Sequence, residues 1–120
     1  MELYDFDAEG STAADARNNL RREISEAIRN ERLAFPLSTS QLPVAYHVGI
    51  QLGKKKAYVF GEAALDYETA RFFALSQAGL DQKSFDAARH KIIVLAHTVY
   101  QSNGSGQIVP VDRHTLLDLL

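Results

Sequence analysis

Val44-Ala45-Tyr46-His47-Val48-Gly49-Ile50-Gln51-Leu52-Gly53 alternates strictly between large apolar residues and small or polar ones. Val44, Tyr46, Val48, Ile50 and Leu52 fall on one side of an extended chain. Ala45, His47, Gly49, Gln51 and Gly53 fall on the other. A period of two is that of a β-strand with one buried face. Gly53-Lys54-Lys55 supplies a turn, and Lys56-Ala57-Tyr58-Val59-Phe60 returns as a second strand that ends at Gly61. The stretch from about 44 to 60 therefore reads as a β-hairpin.

Helical patterns flank the hairpin. Ser11-Thr12, followed by Asp15, forms a capping signal for a helix running to about Leu33, with Ala16, Leu20, Ile24, Ala27 and Ile28 as a narrow apolar seam. Phe35-Pro36 stops it. Asp66 is placed to cap a helix through Ala70, Phe73, Ala74 and Gln77, with Gly79 closing it. Asp81 or Ser84 caps the next element. Phe85, Ala88, Ile92, Leu95, Ala96 and Val99 recur at helical spacing, which favours a helix reaching Asn103-Gly104. The same stretch carries Ile92, Ile93, Val94, Thr98 and Val99, a β-branched density that suits a strand paired with Gln107-Ile108-Val109. Helix is the preferred reading of 91–101 and strand the alternative. Asp112 caps a short closing helix rich in leucine.

The expected fold is α+β: a small antiparallel sheet centred on the hairpin and packed against three or four helices. Residues 1–10 read as a polar, acidic lead-in and 11–120 as one domain, which a chain of 120 residues suits. The absence of cysteine excludes disulfides and thiolate metal sites. The acidic start, Met1-Glu2-Leu3-Tyr4-Asp5, is unlike a signal peptide. The longest apolar run, Ile92 to Ala96, is far short of the roughly 18 residues of a membrane span. A cytoplasmic protein without membrane contact is the expectation.

Chemical motifs are sparse. Gly49 to Lys54 is one residue short of a phosphate-binding loop, continues with Lys55 instead of Ser or Thr, and lies in a hairpin. Ser105 lacks the glycines of a nucleophile elbow two residues to either side. On the helical reading, His90 and His97 share a face but stand about 10 Å apart along the axis, too far for one metal ion. Asp86 and His90, four apart, make the sole dyad with general-base geometry, and a surface ion pair is the commoner outcome of such spacing. No metal and no cofactor are expected.

Thirteen basic residues against fifteen acidic give a net charge of −2, so nucleic-acid binding would need a local patch. Lys54, Lys55 and Lys56 at the hairpin tip, with Tyr58 behind them, form one candidate for phosphate contact and base stacking. Lysines at a turn also block edge-to-edge strand pairing. Gln82, Lys83 and Arg89, after the Gly79-Leu80 turn, form a second candidate with a loose helix-turn-helix spacing.

Packing points further. A two-stranded hairpin is marginal in water, the first helix has a thin seam, and the chain closes on leucines. Self-association into a homodimer or larger assembly would cover all three. The function expected from the sequence is that of a small non-catalytic interaction or regulatory protein acting through a homo-oligomeric surface, with a further protein partner compatible with that role. Nucleic-acid binding is the alternative. A small enzyme, or a small-molecule binder with its site between subunits, ranks lower.

Overall fold

The structure, a computed structural model, describes residues 3–31, 42–52, 57–84, 91–102 and 108–120. These residues form an α+β fold with one antiparallel sheet of five strands. In chain order the elements are β1 (Leu3–Gly10), α1 (Ala13–Glu31), β2 (Ala45–Gln51), β3 (Tyr58–Phe60), α2 (Tyr67–Ala78), the start of α3 at 82–84, β4 (Lys91–Ser102), β5 (Ile108–Pro110) and α4 (Arg113–Asp118).

The hairpin forms, with Gly49 opposite Phe60 and Gln51 opposite Tyr58, but it is not the centre of the sheet. The strand order is β1-β4-β2-β3, and β4 is the element that organises it. One edge of β4 pairs with β1 along its length, from Leu3 opposite Gln101 to Gly10 opposite Val94. Its other edge pairs first with β2, Gln51 to Ala45 against Lys91 to His97, and then with β5 against Tyr100 to Ser102. A bridge between Tyr46 and Ala64 continues the hairpin side of β2.

Two expectations are overturned here. Residues 91–102 are a strand, not a helix, so His97 stands on a sheet and the two-turn spacing from His90 no longer applies. The helical spacing of Ile92, Leu95, Ala96 and Val99 was misleading because β4 is apolar on both faces. The β-branched residues follow their strand preference, and the ladders on both sides satisfy the backbone. The first residues, expected to lie ahead of the domain, supply β1. Tyr4, Phe6 and Ala8 alternate there with Leu3, Asp5, Asp7 and Glu9 in a strand pattern.

Both long helices cover the same side of the sheet. Tyr4, Phe6 and Ala8 of β1, Ile92, Val94, Ala96 and Tyr100 of β4, and Tyr46, Val48 and Ile50 of β2 share one core with Ala16, Leu20 and Ile24 of α1 and Ala70, Ala74 and Leu75 of α2. The helix ends obey local chemistry. Thr12 Oγ1 accepts from Asp15 N at 3.1 Å, Asp66 accepts from both Thr69 N and Thr69 Oγ1 at 2.9 Å, and Asp112 accepts from Thr115 N at 2.8 Å. Gly79, at φ +72°, ends α2 in the left-handed conformation that glycine adopts without strain. Asp81 accepts from Ser84 N at 2.7 Å at the start of α3. Glycines let the layers close. A Cβ at Gly61 would strike the α2 backbone at Phe73 and Ala74, and one at Gly10 would strike the backbone of Asp15 and Ala16.

Candidate functional site

Among the described residues, the opposite side of the sheet is covered at one end only. There Ala45 and Val99 lie under Val111 and Leu116 of the β5–α4 segment, with Leu65 beside them. The strand period puts Asp5, Asp7 and Glu9 of β1, Ile93, Leu95 and His97 of β4, His47 and Gly49 of β2, and Tyr58 and Phe60 of β3 on the remaining, open part of that face. Gly49 has a specific use: its missing side chain makes room for the Phe60 ring, which lies over it and against Ile93.

His47 and His97, on neighbouring strands, stand at the middle of this face with ring centroids 5.0 Å apart and planes at 77°. His47 Nδ1 donates to the Gly61 carbonyl at 3.2 Å; the carbonyl only accepts, so the hydrogen resides on Nδ1. Burial holds His97 below the ordinary imidazole range, and His47 adds to this, while Asp7 and Asp5 pull the other way. His97 is therefore neutral at physiological pH. Asp7 is its register partner on β1, and Asp5 and Glu9 continue an acidic row along that edge strand.

Neither histidine lines the three main clefts formed by the described residues. No group of three potential metal ligands occurs among the described residues.

Of the residues singled out from sequence, Tyr58 is placed on this face beside Phe60, with ring centroids 6.3 Å apart. Gln82 and Lys83 are exposed in the first turn of α3. Lys54, Lys55, Lys56, Asp86, Arg89 and His90 lie outside the described residues. Because β4 begins at Lys91, a second helix after the Gly79 turn cannot extend to 102 as expected. Sequence reasoning had put His47 on the polar side of its strand, but it missed His97 as its neighbour, because that pairing depends on 91–102 being a strand. It also missed the acidic row, which was visible as the alternation of Asp5, Asp7 and Glu9.

Three clefts among the described residues lie elsewhere, the third beside Glu62, Phe73, Ser76 and Gln77. One, of about 280 Å³, is lined by Arg17 and Arg21 of α1, Leu42, Pro43, Val44, Tyr46, Leu65 and Arg113. Another, of about 450 Å³, lies beside Phe72 and Leu75 of α2 and Leu80. Comparison with family models, with curated proteins and with solved structures finds no match for this chain.

Proposed function

We propose that this chain is a non-catalytic interaction protein that works as a homodimer, joined through the open side of its sheet. One observation carries the reading. Of the five large apolar residues that are exposed among the described residues, Phe60 is on the open part of this face, and Leu3, opposite Gln101, and Leu119 and Leu120, after α4, belong to the same side of the sheet at its covered end. Phe72 alone belongs to the helical side. The long helices already bury the other face, so the remaining apolar surface is concentrated where a second layer would pack.

A second copy is the occupant that the face fits. A two-fold contact needs one surface to carry both partners of each polar interaction. This face supplies carboxylates at its β1 margin, an imidazole pair in its middle, and Lys91, exposed at the end of β4. Three strands of seven residues or more and the three-residue β3, about 4.8 Å apart, span at most about 19 by 24 Å over seven residues of strand. That falls below the roughly 800 Å² per partner of a stable complex, so association in the micromolar range is expected. The acidic row disfavours the alternative of nucleic acid stacking on Tyr58 and Phe60, since Asp5, Asp7 and Glu9 would repel a phosphate backbone on the same face.

The test is the molar mass from light scattering between about 5 and 500 μM, a range that brackets the expected affinity. The wild-type chain is expected to rise toward twice the chain mass, while Phe60→Glu stays at one chain with an unchanged melting temperature. A wild-type mass of one chain across the whole range would overturn the proposal.

A further inference from the structure

The structure assigns a second site, separate from the open sheet face: we infer that the cleft lined by Arg17, Arg21 and Arg113 binds a small phosphomonoester. Three guanidinium-bearing residues from two helices converge on this one cleft, two from α1 and one from the first residue of α4. Guanidinium stays charged at every accessible pH and presents paired N–H donors that match phosphate oxygens. Among the described residues, no acidic one lines the cleft, and Arg17, Arg21 and Arg113 make no ion pair.

The positions of these charges disfavour a purely structural explanation. Arg17 and Arg21 are four apart on one helix, so their charges face each other across a single turn, an arrangement that destabilises a helix. Arg113 stands at the N-terminal end of α4, where a cation opposes the helix dipole. Neighbouring carboxylates are already engaged: Asp112 accepts from Thr115 N, and Asp66 from Thr69. A dianion in the cleft would relieve the repulsion and use the donors of all three side chains.

The rest of the lining sets the ligand class. Leu42, Pro43, Val44, Tyr46 and Leu65 complete the lining, so the site offers some contact to a carbon skeleton as well as to charge. A volume of about 280 Å³ is at the small end of ligand pockets, which suits a compact monoester better than a dinucleotide. The small volume favours a free small molecule over a phosphorylated protein segment. A doubly charged phosphate, unlike a carboxylate, has three terminal oxygens to share among three guanidiniums.

Phenyl phosphate is a suitable probe, with inorganic phosphate, benzoate and phenol as comparators, followed by backbone amide shifts and calorimetry on the full chain. Phenyl phosphate is expected to bind with submillimolar affinity and to shift amides at 17–21, 42–46 and 113. Inorganic phosphate and benzoate should each bind at least tenfold more weakly, and phenol should not bind. Arg17→Gln, Arg21→Gln and Arg113→Gln should each weaken phenyl phosphate at least tenfold while the melting temperature stays level or rises. Arg29→Gln, on α1 but outside the cleft, should leave binding unchanged. The inference is overturned by absence of shifts at 10 mM phenyl phosphate, by equal affinity for benzoate, or by equal weakening in Arg29→Gln. Binding is read at concentrations where the chain is a single species, so this result does not depend on whether it dimerises.

Discussion

Gly61 separates β3 from the helix that covers it, and replacing it by alanine tests how tightly the helical layer is set on the sheet. The added Cβ would come within 2.6 Å of Phe73 C and 2.7 Å of Ala74 Cα, and it would also strike Ala74 N. Ordinary carbon contacts sit near 3.5–4.0 Å, so α2 must retreat by about 1 Å. All three atoms are helix backbone, and no side-chain rotation can relieve the overlap. That retreat would loosen Ala70 and Ala74, both fully buried against the sheet. Overpacking of this kind costs about 1–3 kcal/mol, and the lower entropy of the unfolded alanine chain returns about 0.5 kcal/mol. A net loss of about 2 kcal/mol is expected, read as a lower urea midpoint at unchanged slope. Gly49→Ala provides the contrast. Its Cβ would meet Phe60 Cε1 at 2.6 Å and Cζ at 2.8 Å, the far end of a ring that is already 42% exposed, and Ile93 Cγ2 at 2.9 Å. These side chains can turn aside, so the cost should stay below about 1 kcal/mol. Equal losses in the two variants, or a loss under about 0.5 kcal/mol at Gly61, would refute the packing described.

Two further predictions concern polar groups that the fold has taken from water. Thr98 is 1% exposed, and its Oγ1 has no hydrogen-bond partner among the described residues, so Thr98→Val should raise stability by about 1 kcal/mol in urea denaturation; a loss would show that the hydroxyl is satisfied. His97 is held below its ordinary value of 6.5 by burial first and by His47 second, with Asp7 and Asp5 opposing. Below pH 6.5 the unfolded chain therefore takes up the proton before the folded one, and stability falls as pH drops through 6.5 toward the lower folded value. The lowered carboxylates, Asp81 and Asp112, lose their contribution only below 3.8, as pH falls through their folded values, so neither contributes to a change between pH 7.5 and 5. Urea midpoints across that window should fall more steeply in the wild-type chain than in His97→Gln, and parallel slopes would contradict the assignment.

Those residues also mark where the sequence was readable. The 44–60 hairpin announced itself because β2 has one face under helices, which leaves strict alternation in Val44 to Leu52. The caps at Thr12, Asp66, Asp81 and Asp112, and the stop at Gly79, were legible because each depends on residues one turn away. The strand at 91–102 was not. Ile93 and Leu95 face the open side while Val94 and Ala96 face the helices, so the apolar run has no period of two to reveal. The alternation in β1 was present, but its acidic residues resembled a solvated tail until a neighbouring strand gave its apolar side something to cover. Both candidate sites depend on contacts distant in sequence. His47 meets His97 across a strand pair, and Arg17 and Arg21 meet Arg113 from the opposite end of the chain. Local patterns carry no signal of either.

The central claim is that the uncovered half of the sheet is the surface at which two copies meet. Backbone amide shifts followed on dilution from about 500 to 5 μM test it residue by residue, because this range crosses a micromolar dissociation constant. Concentration-dependent shifts should cluster at His47, Gly49, Tyr58, Phe60 and 93–97, with α1 and the Phe72 side of α2 unmoved. Shifts centred on Phe72, or none at all alongside a constant mass of one chain, would contradict it.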